Sequence, residues 1–239
     1  MQHETVFLPK NKINISFQVI GKGKPLLLLH GAGESGLMWH DAAALLADKY
    51  RCIIPDLPGH GHSPALPVST ISQYAEVVLE LISELHLHDV ILCGHSMGGQ
   101  VGMALCLRNP AVIYKLILVN PAGLETFTAS EKSQLLSWAE NTYAHPFAPE
   151  VLRQFYGGHF SRQPERLERF LREHLIPESE AVKTQKRLVN LASIKAMLNE
   201  PVFEFLPQLK IPVRIIYGKQ DILIPNRFIH PSGNTQQVM

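Results

Sequence analysis

Five short runs of apolar residues recur along the 239-residue chain, and each is too short to form a buried helix. Runs of this kind are typical of strands that are buried on both faces, as in a parallel sheet. Segments with helical spacing of their apolar residues separate the runs. This alternation predicts an α/β fold with a doubly wound, mostly parallel sheet and right-handed crossovers. The predicted buried strands are residues 25–29, 52–54, 90–93, 116–119 and 213–217.

The clearest helical pattern covers residues 71–85. Thr70 and Gln73 have the spacing of a capping box at its amino terminus, where two backbone donors would otherwise lack partners. A second helix is predicted over residues 97–107. Asn109-Pro110 stops it, because helical geometry is disfavoured for a residue that precedes a proline. The other predicted elements are a helix at 38–46 and half-exposed strands at 5–8 and 13–20.

Residues 123–207 interrupt the alternation, because their pattern is mostly helical and lacks convincing buried strands. We therefore divide the chain into an amino-terminal core part (1–122), a helical insertion (123–207) and a carboxy-terminal core part (208–239). The insertion is either a helical unit with its own small core or a lid whose inner face forms an apolar pocket wall. Its aromatic residues include Trp138, Tyr143, Phe147, Phe155, Tyr156 and Phe160.

The sequence Gly-His-Ser-Met-Gly at 94–98 follows a predicted buried strand and opens a predicted helix. This is the spacing of a strand-turn-helix turn that projects a serine hydroxyl beyond the sheet. Ser96 is therefore a candidate nucleophile, at a helix terminus whose dipole favours negative charge. The backbone N–H of Met97 is a candidate donor to an oxyanion. The competing interpretation is a plain glycine turn with a bystander serine.

A second glycine-rich turn, His-Gly-Ala-Gly at 30–33, follows the predicted strand 25–29. A turn at the carboxyl end of a buried strand can direct backbone amides into the crevice above the sheet. We predict that Ala32 provides a second oxyanion donor beside Met97. An ordinary strand-to-helix turn would show the same pattern. His30 is interpreted as a residue that braces the loop.

Two histidines, His60 and His62, lie in a third glycine-containing turn that begins at Asp56 and ends at Ser63. A histidine pair can bind a metal ion, but no third ligand lies nearby in the sequence. We therefore predict a turn shaped by its glycines, with no metal site and no cofactor.

Composition excludes several classes of partner. The formal net charge is +1, and charged residues make up only 18% of the chain. These values give no reason to expect a nucleic acid, an anionic membrane or a strongly charged substrate as partner. The three cysteines are far apart and odd in number, which favours reduced core thiols and a cytoplasmic protein. The polar amino terminus has no pattern of a signal peptide.

The three turns and Gly-Lys-Gln-Asp at 218–221 occur in one order along the chain. Together they resemble the α/β-hydrolase fold superfamily, in its serine branch with a helical cap. The resemblance implies that Ser96 is the nucleophile and Asp221 the acid of a catalytic triad, and it implies no cofactor. Carboxylic esters are the substrate class implied first, with lactones and C–C bonds beside a ketone as alternatives.

The histidine that completes the family's triad follows a further strand and precedes a last helix, and residues 222–239 do not show that pattern. His230 is the only histidine after Asp221, and its position does not match the family's base. We therefore predict that the final strand and helix are missing, so that 213–217 becomes an exposed sheet edge prone to self-association. A catalytically impaired or non-enzymatic, ligand-binding relative is the alternative to an active hydrolase.

Overall fold

The computed structural model describes residues 3–66, 70–144 and 179–218, together with residues 165 and 168. Within these residues, seven strands form one sheet. The strands are β1 (Glu4–Leu8), β2 (Ile13–Ile20), β3 (Lys24–Leu29), β4 (Tyr50–Pro55), β5 (Val90–His95), β6 (Ile113–Val119) and β7 (Val213–Ile216). Their order across the sheet is β1-β2-β4-β3-β5-β6-β7.

Only β2 runs antiparallel to the other strands of this sheet. β1 pairs with β2, and β2 pairs with β4, in antiparallel register. Every other neighbouring pair is parallel, so the carboxyl ends of β3, β5 and β6 meet at one edge. Leu29 pairs with Gly94 there, and Gly94 pairs with Leu118. The predicted mostly parallel, doubly wound sheet is confirmed, and its topology brings the predicted turns at 30–33 and 94–98 side by side.

Five α-helices are described, and the three predicted in the core are confirmed. They are α1 (His40–Leu46), α2 (Ile71–Glu84), α3 (Met97–Arg108), α4 (Ala129–Ala144) and α5 (Glu180–Asn199). Short 3-10 helices at Gly36–Trp39 and Phe203–Gln208 precede α1 and β7. The cap of α2 is present, because the Thr70 hydroxyl oxygen accepts the Gln73 N–H at 3.1 Å. α4 and α5 lie in the predicted helical insertion, whose residues 145–164, 166–167 and 169–178 are outside the described residues.

Apolar side chains form a cluster on each face of the sheet. The larger cluster joins strand residues such as Leu27 and Leu92 to Tyr74 of α2 and Val101 of α3. The smaller one joins Leu28 and other strand residues to Ala43 of α1 and to Trp39, which directly precedes α1. Alternate residues of β3 therefore enter opposite cores, as expected for a strand covered on both faces.

The sequence predicts residues 213–217 both as an apolar run typical of a buried strand and as an exposed sheet edge, and β7 agrees with the second prediction. Val213 is 37% exposed and Ile216 is 49% exposed, whereas Ile215 is half-buried. The reason is the position of β7 at the end of the sheet order, where only β6 pairs with it among the described strands. An exposed sheet edge agrees with this geometry, and self-association through it stays a prediction. The predicted loss of a final strand and helix concerns residues 219–239, which lie outside the described residues.

Cys52, Cys93 and Cys106 are buried and unpaired, as predicted for reduced core thiols. Burial raises the pKa of the Cys93 and Cys106 thiols to about 12, so both stay protonated and unreactive at neutral pH. None of the described helices has the length and apolarity needed to cross a bilayer.

Candidate active site

Ser96 occupies the sharp turn between β5 and α3. Its backbone has φ 49° and ψ −118°, a region that residues with a side chain rarely adopt. Backbone strain of this kind costs about 1–3 kcal/mol and persists only where the surroundings enforce it. The turn is held by the Ser96 N–H, which donates to Val119 O, and by Ser96 O, which accepts the Ala122 N–H. The side chain is half-buried at the carboxyl edge of the sheet.

The two glycines of this turn are required by close backbone contacts. A Cβ atom on Gly94 would lie 2.3 Å from the Gly98 carbonyl oxygen. A Cβ atom on Gly98 would lie 2.5 Å from Leu29 O and 2.7 Å from His30 O. Real Cβ contacts do not approach so closely, because the atoms would overlap. The glycine spacing therefore lets α3 pack directly against the end of β3, as the sequence pattern predicts.

The loop after β3 lies directly beside Ser96. A Cβ atom placed on Gly31 would lie 3.2 Å from the Ser96 Cβ atom. Ala32 follows in this loop and is half-buried. Met97 is the first residue of α3, where a backbone N–H has no acceptor within the helix. The structure thus brings together three of the residues singled out by the sequence, Ser96, Ala32 and Met97.

Glu34 and His95 form a polar pair next to Ser96 that the sequence analysis missed. The Glu34 carboxylate oxygen Oε2 accepts the Gly31 N–H at 2.9 Å and the His95 Nδ1–H at 3.1 Å. Burial would raise the pKa of Glu34, but the His95 imidazole and the Gly31 N–H outweigh burial and lower this pKa to about 2. The carboxylate therefore stays ionised and links the loop after β3 to the residue before Ser96.

His30 braces the two loops, as predicted. Its Nδ1–H donates to Gly31 O at 2.7 Å, and its Nε2 accepts the Leu57 N–H at 2.9 Å. Both ring nitrogens are therefore engaged in a fully buried residue. Burial lowers the pKa of His30, which keeps the ring neutral and suits it to donate at one nitrogen and accept at the other.

The turn from Asp56 to Ser63 is shaped by hydrogen bonds that its first residue, Asp56, accepts. Asp56 Oδ1 accepts the Gly36 N–H, and Oδ2 accepts the His62 N–H. The Ser63 hydroxyl donates to Asp56 O at 2.7 Å. His60 is buried, and its Nδ1–H donates to Pro58 O at 3.0 Å. These bonds explain the positions of Asp56 and Ser63 in this turn, in which His60 is buried and His62 is exposed.

Helix α5 lies against the loops around Ser96. The Cβ position of Gly33 is 3.3 Å from Asn190 Nδ2, and that of Gly59 is 2.7 Å from Val189 Cγ1. The buried Tyr74 hydroxyl hydrogen-bonds to the Ser193 hydroxyl at 3.1 Å, which ties α5 to α2. Long-range contacts of this kind are not encoded in local spacing, so the sequence does not predict that these residues of α5 lie beside the loops and α2.

Gln100 joins α3 to the end of α5. Its buried Nε2 donates to Met197 O at 3.0 Å and to Glu200 O at 2.7 Å. Both acceptors belong to the last turn and cap of α5, where carbonyl groups lack helical partners. Gln100 therefore supports the position of α5 above the sheet edge.

Replacement Gln100→Ala is expected to lower the free energy of unfolding by roughly 1–3 kcal/mol, because two carbonyl oxygens lose their donor. Urea unfolding followed by circular dichroism measures this change. Gln208→Ala, at an exposed position, is the matched control and should change stability by less than about 0.5 kcal/mol. Equal stability of the two variants would show that Gln100 does not anchor α5.

A cavity of about 850 Å³ lies at the other end of α3. Its walls include Leu107, Arg108, Phe127 and Lys132. Neither Ser96 nor the neighbouring loop after β3 lines this cavity. The cavity therefore does not belong to the site built around Ser96. Asp221 and His230, the other residues considered for a triad, lie outside the described residues.

Residues 24–232 match the sequence profile of the alpha/beta hydrolase fold family. The match covers most of the chain and agrees with the sheet order and with the turn that carries Ser96. The protein belongs to the alpha/beta hydrolase fold family.

Similar proteins with curated names include esterases. The chain is 28% identical over 226 residues to the pimeloyl-[acyl-carrier protein] methyl ester esterase of Nitrosospira multiformis. The aligned part covers 89% of this chain and 82% of that esterase. An uncharacterized protein of Mycobacterium bovis is 37% identical over 111 residues, and the aligned part covers 46% of this chain but 32% of that relative. The chain thus spans about a third of the length of that relative.

Solved structures show the same architecture. A thermophilic esterase from Thermogutta terrifontis superimposes with a TM-score of 0.75 and 25% sequence identity. The superposition covers 95% of this chain and 84% of the esterase. The two similar proteins with assigned names, from Nitrosospira multiformis and Thermogutta terrifontis, are both esterases.

Proposed function

We propose that the protein is a cofactor-free serine hydrolase that acts on a small, mainly apolar carboxylic ester through an acyl-enzyme. The observation that carries this proposal is the strained backbone of Ser96 at the start of α3, directly beside the loop that contains Ala32. A strained backbone at this serine has no evident structural use. A nucleophile requires such a turn, because the turn presents the serine hydroxyl beyond the edge of the sheet. The esterases among its relatives support the same reaction class.

The proposed reaction proceeds in two steps. Ser96 Oγ attacks the ester carbonyl carbon while a histidine accepts the hydroxyl proton, and the negative charge develops on the carbonyl oxygen. The N–H groups of Ala32 and Met97 stabilise that oxyanion. The C–O bond then breaks, the alcohol leaves with the proton, and water hydrolyses the acyl-Ser96 bond by the reverse sequence of proton transfers.

Asp221 is proposed to orient the histidine that serves as base. His30 does not fit the role of base, because both of its ring nitrogens are engaged by backbone groups. His60 is buried with one nitrogen donating to Pro58 O, and burial with the nearby His30 lowers its pKa to about 3. A base for this reaction needs a pKa closer to neutrality.

The insertion 123–207 is proposed to act as a lid over the Ser96 site. Support comes from α5, whose Asn190 and Val189 lie against the loops around Ser96. A helical cover would exclude water and provide an apolar wall for the acyl group. We propose a small-molecule substrate, and a cytoplasmic location in keeping with the three buried, unpaired thiols.

The pocket is expected to prefer uncharged acyl groups. Hydrolysis of p-nitrophenyl acetate and butyrate should exceed that of the anionic p-nitrophenyl hemiglutarate by about tenfold or more in kcat/KM, because an apolar wall leaves a carboxylate without compensation. Initial rates at pH 7.5 on the purified protein measure this ratio. A preference for the anionic ester would contradict the apolar pocket. Absence of both hydrolysis and labelling by a fluorophosphonate probe would contradict the hydrolase function itself and favour a ligand-binding relative.

A further inference from the structure

His3, Asp56 and His62 converge near the β1–β2–β4 side of the sheet, since His3 precedes β1 and the other two residues follow β4. One nitrogen of each imidazole and one carboxylate oxygen all lie within 4.8 Å of one another. His62 Nδ1 is 3.4 Å from Asp56 Oδ2, and the His3 and His62 rings have centroids 3.9 Å apart. Sequence spacing offered only His60 as a companion for His62, but the fold replaces it with His3, because β1 pairs antiparallel with β2.

These distances suit a divalent transition-metal ion. Zn²⁺ binds imidazole nitrogen and carboxylate oxygen at about 2.0–2.2 Å, so tetrahedral geometry separates two ligand atoms by roughly 3.4 Å. The separation of His62 Nδ1 from Asp56 Oδ2 already has this value. The other ligand atoms lie within 4.8 Å of one another, so closing these separations requires shifts of at most about 1.4 Å. The 62% exposed side chain of His62 has room to move.

The residues around the cluster hold two of the three ligands in place. His3 Nδ1–H donates to the Ser16 hydroxyl at 3.1 Å, and its Nε2 accepts from Gln18 Nε2 at 2.9 Å. Gln18 Oε1 in turn accepts from His40 Nε2. Ser16 and Gln18 are buried on β2. Such contacts orient the imidazole, and the hydrogen bond to Ser16 makes Nε2 the nitrogen with the lone pair. A metal ion at Nε2 takes the lone pair that now accepts from Gln18 Nε2, so binding exchanges this hydrogen bond for the metal–nitrogen bond.

Asp56 is a pre-positioned ligand as well. It is buried, and each of its carboxylate oxygens accepts one backbone N–H, from Gly36 and from His62. A carboxylate oxygen has a second lone pair, so Oδ2 can bind a cation without losing its hydrogen bond. The cation would also offset the cost of burying this charge.

We propose that His3, Asp56 and His62 form a binding site for a divalent transition-metal ion of the Zn²⁺ type, with water completing the coordination. Two imidazoles and one carboxylate form a donor set that favours such ions over Mg²⁺ or Ca²⁺. The ion connects the residue before β1 to the turn after β4, which are more than 50 positions apart in the chain. Metal binding therefore stabilises the folded state, independently of any activity at Ser96.

Binding is tested by titrating the purified, metal-free protein with ZnCl₂ in competition with a chromophoric chelator. We expect one Zn²⁺ per chain. His62→Gln and His3→Gln should each weaken binding at least tenfold, and the exposed His88→Gln variant, the matched control, should bind like the parent protein. CoCl₂ should produce visible absorption bands of a tetrahedral complex in the parent and in His88→Gln only.

Each other outcome overturns the proposal. Weak binding of several ions per chain, or equal affinity of the parent and His62→Gln, would show adventitious association with surface histidines. Circular dichroism and urea unfolding without metal separate loss of a ligand from loss of folding, and the exposed His62 should be replaceable without unfolding the chain. Asp56→Asn is not used, because Asp56 also holds the turn that contains His62.

Discussion

Replacement Ser96→Ala is expected to reduce ester hydrolysis by roughly 10⁴- to 10⁶-fold and to abolish covalent labelling by a fluorophosphonate probe. The variant removes the oxygen that forms the acyl-enzyme, and only the residual catalysis by oxyanion stabilisation and binding would remain. Turnover of p-nitrophenyl butyrate and gel-based detection of the probe measure the two effects.

The fold of this variant should be intact, because Ser96 holds its turn through backbone groups that alanine retains. Alanine also removes little from the packing around the turn, so the urea midpoint should stay close to that of the parent. Ser83→Ala, at an exposed position of α2, is the matched control and should be labelled as strongly as the parent. Labelling of Ser96→Ala at the parental level would place the reactive serine elsewhere.

Replacement Glu34→Gln is expected to lower kcat about 10²-fold with a small change in KM. The carboxylate receives hydrogen bonds from both Gly31 and His95, so it sets the distance between the loop that carries Ala32 and the turn that carries Ser96. A donor displaced by about 1 Å loses most of its stabilisation of the transition state. Glutamine keeps the size of the side chain and one oxygen that can accept both hydrogen bonds, but it loses the negative charge that strengthens them.

The same pair predicts an acid-dependent loss of stability. The pKa of Glu34 is about 2 in the folded protein and near 4.5 in the unfolded chain, so the unfolded chain takes up the proton first as pH falls. The stabilisation is complete above about pH 4.5 and is lost as pH falls towards 2, and it amounts to at most roughly 3 kcal/mol. Glu34→Gln should lack this component.

Urea unfolding at pH 7 and at pH 3, together with steady-state kinetics at pH 7, measures these effects. Glu84→Gln, at an exposed position, is the control for general changes of charge. A Glu34→Gln variant with lower stability but parental kcat would assign Glu34 a purely structural role. A variant with parental kcat and parental pH dependence would contradict the importance of the pair altogether.

Local chemistry is the part of this protein that could be predicted from the sequence. The glycines at 94 and 98 predicted a tight turn with Ser96 at its apex, and the structure shows backbone atoms where their side chains would be. The cap at Thr70 was predicted for the same reason, since its partner is only three residues away. Short-range sterics and hydrogen bonds of this kind depend on the local order of residues alone.

β7 shows where a local pattern misleads. Its apolar residues taken alone predicted a strand buried on both faces, whereas the expected lack of a neighbouring strand predicted an exposed edge, and Val213 and Ile216 are exposed. An apolar run indicates that a strand tolerates burial, whereas its place in the sheet order decides how much of it is covered. That place depends on which elements pack beside it, and these come from distant parts of the chain.

The sequence by itself determined the sheet of parallel strands, because its short apolar runs alternate with helical patterns. It also determined the turn that presents Ser96 and the two glycine-rich turns beside it, because these rest on contacts between near neighbours. Only the tertiary structure decided that Glu34 reaches His95, that α5 lies on the Ser96 loops, and that His3 joins Asp56 and His62. These residues are far apart in the chain. Their contacts depend on strand order and on helix packing, which bring distant segments together and leave no periodic pattern in the sequence.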